Sequence, residues 1–334
     1  MDNNNFKPNK ISKFDIYNYE IIKTIYVDSI SIIKLCKSKK DNTFYLIKMF
    51  SKSYLIHQKQ VDHIYSEYQI LSLLSSHFFE HNFSFLGINV DDPRYLFYLF
   101  KNKPHITLFN LLNTIEYEIQ KEQLCYLSAQ IIKILIILHS KNIIFRYLIP
   151  ENVIICHNFV CKIKNFSYSK IVLPKDKAFT FCGIPEYMAP ELIIRQGHNR
   201  AVDWWSLGIL LYEICYGHPP FTDDDPIILF EKILNDKIEL SNEIEPNVGN
   251  LIKHLTEKDL TRRYGGITYG INYITKHKFF NGIDWKGLWI KNYKIETPQL
   301  NEIIDKNNII NNEKCNFIFE AEYIEEKDDV FLSW

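Results

Sequence analysis

The sequence predicts an α+β protein built in two parts: a small β-rich part with one main helix, then a larger and mainly helical part. Three features carry that expectation. Between residues 14 and 99 the apolar residues fall in short β-branched and aromatic runs. From Thr107 onward they fall at helical spacing instead. Residues 283–334 turn acidic and polar again. The expected organisation is a flexible tail over 1–12, a first lobe over 13–100, a second lobe over 101–282, and an extended tail over 283–334.

Taken in order, residues 1–12 are polar and Asn-rich, with little apolar surface to offset the entropy of ordering. Tyr19–Ile25, Ser31–Lys37, Thr43–Phe50 and Arg94–Phe100 have strand composition. Gln58–Leu74 has a helical stripe through Val61, Ile64, Tyr65, Tyr68 and Leu71. Glu122–Ser140 and Ala201–Tyr216 are apolar around most of their circumference, as buried helices are. Asn199 or Asp203 is placed to cap the second of these. No internal repeat is present.

The 334 residues are enough for two lobes with cores of their own. A formal net charge of −1 gives no field that favours nucleic acid or an anionic membrane. The apolar run Ile131–Leu138 is interrupted by Lys133 and falls short of the roughly 20 residues that cross a bilayer. The N-terminus lacks the apolar stretch of a secretion signal. Asp2 stands where a myristoylation acceptor needs glycine. Cys36, Cys125, Cys156, Cys161, Cys182, Cys215 and Cys315 are odd in number and form no metal-like pair, so free thiols in a reducing, cytoplasmic or nuclear, compartment are expected.

Four segments then narrow the reading. They are Phe145-Arg146-Tyr147-Leu148-Ile149-Pro150-Glu151-Asn152, the run from Phe181-Cys182-Gly183-Ile184 to Ala189-Pro190-Glu191, the run Ala201-Val202-Asp203-Trp204-Trp205, and Asp259-Leu260-Thr261-Arg262-Arg263. Their order and spacing resemble the C-lobe of protein kinases. The Trp-Trp pair and the Cys-Gly-x-Pro-Glu-Tyr run resemble the AGC group, nearest the catalytic subunits of cyclic-AMP-dependent kinases. The resemblance implies a bilobal protein-kinase fold of the α+β class with an AGC-type C-terminal tail. It also implies a hydrophobic motif at Phe331 and Trp334 that docks on the small lobe.

The same resemblance implies lost chemistry. Phosphoryl transfer is largely positioning and charge stabilisation. Tyr147 stands where the family has the Asp that accepts the hydroxyl proton, and Ile149 where serine/threonine kinases have a Lys. Tyr has an unperturbed pKa near 10 and is neutral at pH 7, a poor base. Asn165 of Asn165-Phe166-Ser167 replaces the carboxylate that ligates Mg²⁺, an ion that favours charged oxygen donors. Asn152 matches the second metal ligand. Lys164 offers a cation beside Asn165, with a solvated strand-end Lys as the alternative. The glycine-rich loop reads Ile25-Tyr26-Val27-Asp28-Ser29-Ile30-Ser31, without its glycines and with a carboxylate added. Lys48 and Glu67 match the phosphate-contacting ion pair. Leu46 adds bulk where the adenine ring would lie, at about 1–3 kcal/mol. Ile184 replaces a Thr that contacts the missing Asp and Lys.

Other positions are kept. Glu191 and Arg263 match the ion pair of the activation segment, Asp203 the acid that holds the catalytic-loop backbone, and Phe166 a packing residue. Thr180 matches the activation-loop phosphorylation site, with Arg146, Lys170 and His63 as its clamp. Glu151 and Glu213 match acids that receive an Arg of a peptide, and Phe181, Pro185 and Met188 match the apolar pocket beside them. The hinge, Lys101-Asn102-Lys103-Pro104-His105, is basic where a third acid is expected.

The expected function is that of a catalytically inactive pseudokinase acting as a regulatory or binding module. Its expected partners are another kinase, a regulatory subunit or a peptide segment. No cofactor is expected on this reading, nor any nucleic acid or membrane. The alternative is a divergent serine/threonine kinase using ATP with Mg²⁺. A third possibility is a nucleotide sensor, favoured by Lys48 and Glu67 and opposed by Leu46 and the missing glycines.

Overall fold

The computed structural model describes residues 12–75, 85–102, 105–114, 117–241, 244–266, 268–288, 298–310 and 329–334. Most of the expected N-terminal tail, Lys103-Pro104 and Cys315 therefore lie outside the described residues. Contacts divide the chain into one unit made of Met1–Pro104 with Asp305–Trp334 and a second made of His105–Ile304.

The first unit is a six-stranded sheet and two helices. The strands are β1 (Ser12–Lys13), β2 (Tyr19–Val27), β3 (Ser31–Ser38), β4 (Phe44–Ser51), β5 (Phe85–Asn89) and β6 (Tyr95–Lys101), in the order β1-β5-β6-β4-β3-β2. Four of these lie within a residue or two of the sequence expectation; β5 was not foreseen. The expected helix Gln58–Leu74 is shorter at its start. Helix α1 (Lys52–His57) precedes it, and α2 runs Val61–Leu74. Lys59 adopts a left-handed φ of 54° between them, so Gln58–Gln60 form a turn that no helix can continue through. Ile47, Phe50, Ile64, Leu71 and Tyr98 form the core, and the Tyr98 hydroxyl donates to the Ile64 carbonyl at 2.9 Å.

Phe331 is fully buried in this unit, and Trp334 stacks on Tyr68 (5.9 Å between centroids, 12°) and lies 5.0 Å from Tyr65. Both tyrosines belong to α2. Lys52 is buried, donates to the Val90 carbonyl at 2.7 Å and forms an ion pair with Asp329. The short turn Val330–Ser333 is thereby tied at both ends.

The second unit is mainly helical. It opens with β7 (His105–Thr107), α3 (Leu108–Leu112), α4 (Lys121–Ser140), β8 (Ile143–Ile144), β9 (Val153–Cys156), β10 (Val160–Ile163) and β11 (Lys170–Ile171). Helices α5 (Pro190–Ile193), α6 (Ala201–Tyr216), α7 (Pro226–Asn235), α8 (Pro246–Leu255) and α9 (Ile271–Thr275) follow, and α10 (Pro298–Ile310) runs across the division at Ile304. Strands pair as β10-β9-β7 and β11-β8.

Helix α4 corrects one sequence expectation. With 20 residues it is by length and composition apolar enough to cross a membrane, and most of it is buried inside the protein, as a core helix is. Lys133, which interrupts the apolar run, donates to the Trp285 carbonyl at 2.9 Å. Helix α6 carries Trp204 and Trp205 into the core. The capping expectation is corrected for both candidates: Arg200 is the N-cap and carries no side-chain cap bond, Asn199 Oδ1 accepts only from the Ala201 N–H at 2.9 Å, and Asp203 turns to the backbone of Phe145 and Arg146.

Candidate active site

The segment 145–152 leaves β8 with Arg146 at a positive φ of 62°. Asp203, fully buried, makes that bend tolerable. Its carboxylate accepts from the Phe145 N–H at 2.9 Å and the Arg146 N–H at 2.7 Å, and its Oδ2 lies 2.8 Å from His139 Nε2. Two residues of backbone are thus fixed by one side chain on α6.

Tyr147 follows, half-buried, with its ring edge-on to Tyr168 at 4.5 Å. Ile149 is buried. The space that Tyr147, Ile149, Gly183 and Ile184 enclose with their neighbours is about 10 Å³, room for one water at most. Tyr147 and Ile149 thus stand in a nearly filled corner at the two positions matched to a base and a cation.

The positions matched to the metal ligands do not fit Mg²⁺. Asn165 Oδ1 accepts from the Ser167 hydroxyl at 2.6 Å, so its best lone pair is engaged within three residues. Asn152 is buried and donates through Nδ2 to the Tyr147 carbonyl at 3.0 Å. Both are neutral amides, and among the described residues no three His, Cys, Asp or Glu side chains gather as a metal site. Lys164 keeps part of its side chain exposed while protein crowds its ammonium; that desolvation lowers its pKa, opposed by the Glu151 carboxylate.

In the first unit, the β2–β3 turn is closed on itself. Asp28 Oδ1 accepts from the N–H groups of Ile30 (2.9 Å) and Ser31 (2.6 Å), and Oδ2 accepts from the Ser31 hydroxyl at 2.9 Å. Successive N–H groups of this kind form an anion-binding concavity; here the chain's own carboxylate fills it. Lys48 and Glu67 form a buried bidentate pair, with Nζ–Oε distances of 2.9 and 3.1 Å. Lys48 also lies 5.0 Å from the Phe50 ring. Leu46 is half-buried on β4, in register with Leu35 and Phe100.

Thr180 is exposed. Arg146 is buried; its Nε donates to the Tyr168 carbonyl at 2.7 Å, and Nη1 lies 3.3 Å from His198 Nε2. Burial and then the Arg146 charge push the His198 pKa down to about 4. A neutral His198 accepts the guanidinium N–H, and its backbone pairs with Ala178 in a bridge that fixes the segment before Thr180. Lys170 is exposed on β11, and His63 lies on α2 of the first unit. His198 and Tyr168 were missed in the sequence, because a buried His and a carbonyl carry no motif.

Glu213 sits on α6 with one carboxylate oxygen buried and unpartnered. Desolvation first, then Glu151 and Glu186, raise its pKa to about 7, and His218 opposes them. Glu151 is exposed. Phe181 is exposed, edge-on to Phe230 at 6.1 Å and 5.0 Å from the Arg195 guanidinium. Met188 is buried and Pro185 half-buried. Glu191 receives Arg263 in a buried fork at 2.6 and 3.0 Å. Phe166 packs edge-on to Phe145 at 5.3 Å.

Residues 19–280 match the protein kinase domain family. The chain is 34% identical over 275 residues to the human cAMP-dependent protein kinase catalytic subunit PRKX, a match that covers 82% of this chain and 75% of that protein. It is 33% identical over 295 residues to the Drosophila melanogaster cAMP-dependent protein kinase catalytic subunit 3, covering 88% of this chain and 49% of the fly protein. It is 34% identical over 286 residues to human cGMP-dependent protein kinase 2, covering 84% of this chain and 37% of that protein. The chain thus spans about half of the fly protein it matches and less of the cGMP-dependent one.

Proposed function

The chain belongs to the protein kinase family, and from that premise we propose that it is a catalytically silent member, a pseudokinase, acting as a regulatory or binding module in kinase signalling. One observation carries the proposal. The two positions where phosphoryl transfer needs carboxylates hold Tyr147, packed against Tyr168, and Asn165, engaged by Ser167. Without a base, transfer loses about 10²–10⁴-fold. Without a carboxylate for the metal, the phosphate charge goes unneutralised. Asp28 adds a carboxylate in the turn amides, and Leu46 adds bulk on β4. These losses fall on groups that act as a unit, so their effects do not add.

The features that support a binding role are elsewhere. Phe179, Phe181, Ile227 and Ile228 expose apolar surface on the second unit, at 67%, 40%, 69% and 44%. Exposed aromatic and aliphatic side chains rimmed by polar residues suit a protein partner. Glu151 and Glu213 suit a cationic residue of a bound peptide, whether from a regulatory subunit or from a substrate-like segment. Thr180 is exposed, and phosphorylation there would add about −1.5 to −2 charge for an arginine or lysine to receive.

The test is ATP titration by calorimetry on the full chain, with and without Mg²⁺. The expected result is no heat of binding at millimolar ATP under either condition. Mg²⁺-dependent binding would overturn the proposal in favour of an active serine/threonine kinase. Binding indifferent to metal would favour a nucleotide sensor, which the intact Lys48–Glu67 pair leaves chemically open.

A further inference from the structure

A groove of about 710 Å³ opens on the second unit between α8 and α9, lined by none of the residues placed in the candidate active site. Its walls carry Asn250 and Asn247 from α8, Tyr273 from α9, and Tyr264, Lys276 and Lys278. We propose that this groove binds an extended acidic peptide segment of a partner protein, with an aromatic side chain seated among its tyrosines.

The charge comes first. Lys276 and Lys278 are exposed and make no ion pair among the described residues, and no carboxylate lines the groove. Glu245, which precedes the groove residue Pro246, is already engaged: it accepts from the Val248 N–H and from Asn247 Nδ2, both at 2.8 Å, and pairs with Lys121 at 3.5 Å. Two ammonium groups with no ion-pair partner among the described residues therefore face whatever enters. An anionic ligand gains there, and a cationic one is repelled.

The rings come next. Tyr264 stacks on His254 at 4.3 Å, and Tyr269 lies edge-on to Tyr273 at 4.9 Å. Tyr264 also lies 5.6 Å from Tyr273. These are rigid faces with two side-chain torsions each, which lose little freedom when a second ring packs on them. Tyr273 is 49% exposed, more than a side chain serving only the core needs to be.

The polar groups are oriented in advance. His277 Nε2 lies 2.9 Å from Asn250 Oδ1, and His277 Nδ1 accepts from the Phe279 N–H at 3.3 Å. Nδ1 is thereby the acceptor nitrogen, so Nε2 carries the hydrogen and donates to Asn250. That leaves the Asn250 amide N–H₂ as a donor to the groove. Asn247, donating to Glu245, keeps its carbonyl oxygen as an acceptor. One donor and one acceptor amide are what a peptide backbone asks for.

Shape decides between occupants. Asn250, Tyr273, Lys276 and Lys278 are all exposed, so the groove is open along its length. Small-molecule sites enclose most of their ligand; this one supports a chain that enters and leaves. Nucleic-acid surfaces carry longer cationic stripes than two lysines, on chains more basic than a net −1.

The experiment is fluorescence anisotropy with the full chain and a labelled acidic pentapeptide, two glutamates on each side of a tyrosine. Saturable binding is expected, weakened severalfold when salt rises from 50 to 300 mM, since the contacts are exposed. Lys276→Glu with Lys278→Glu should weaken it by about tenfold, and Tyr273→Ala by severalfold. Lys40→Glu, an exposed lysine of the first unit, should leave it unchanged. The lysines are at the surface, and an unaltered thermal melt of the double variant confirms that it folds. No saturable binding, equal binding of a peptide with glutamines for the glutamates, or undiminished binding by the double lysine variant would each overturn the proposal.

Discussion

Replacing Glu213 by Gln should stabilise the protein at alkaline pH and remove a pH dependence that the native residue creates. The carboxyl is raised from 4.5 to about 7, first by desolvation and then by Glu151. At about 1.4 kcal/mol per pKa unit, the full shift corresponds to about 3 kcal/mol. The side chain is only partly buried, so solvent screening reduces this to about 1–2 kcal/mol. The sign follows from linkage. The folded state holds its proton to higher pH than the unfolded chain, so the native carboxyl carries no penalty below about pH 4.5. Stability is lost as pH rises from there toward 7 and stays lost above. Gln keeps the volume and mimics the protonated form without titrating. The assay is thermal unfolding of both proteins from pH 5 to 8. Near pH 5 the two should melt together; at pH 8 the variant should melt about 3–6 °C higher. A basic peptide held by Glu151 and Glu213 should bind the native protein more tightly as pH rises through 7, and the variant should lose that gain. Parallel melting curves across the range would refute the buried, unpartnered state of this carboxylate.

Asp329→Ala should cost about 3–5 kcal/mol in the first unit, because it leaves the buried Lys52 ammonium without its counter-charge, with the Val90 carbonyl and the Phe331 ring as its remaining partners; hydrogen exchange of the amides of α2 reads the loss. Gly265→Ala should prevent stable folding of the second unit, since φ is +79° and a Cβ would lie 2.4 Å from Trp204; near-native expression and melting would contradict this. Restoring both carboxylates, Tyr147→Asp with Asn165→Asp, should still give no measurable transfer from labelled ATP, because Asp28, Leu46 and Ile149 remain. Phosphoryl transfer by that double variant would mean that two side chains alone silence the site.

How much was legible follows from the range of the forces involved. The strands Ser31–Ser38 and Phe44–Ser51 and the helix Ala201–Tyr216 could be read because their periodicity is local. Strand Phe85–Asn89 could not, since Gly87 and Asn89 dilute a five-residue run. The break at Lys59 was equally hidden, because a left-handed Lys has no sequence signature. Asp203 is legible both as the acid that holds the 145–146 backbone and, with Asn199, as a candidate helix cap; the structure spends its carboxylate on Phe145 and Arg146, 58 and 57 residues away, and neither candidate stands at the N-cap, which is Arg200.

The site divides in the same way. Sequence alone determined which side chains stand at each chemical position, because the surrounding motifs fix the register: Tyr147, Ile149 and Asn165 are identities, and no fold alters them. Only tertiary structure decided what those positions do instead. It turned Asp28 into the occupant of its own turn, engaged Asn165 with Ser167, set His198 against Arg146 and left Glu213 buried without a partner. Hydrogen bonding and desolvation depend on which groups meet and how much water is excluded, and neither is a property of residues taken one at a time.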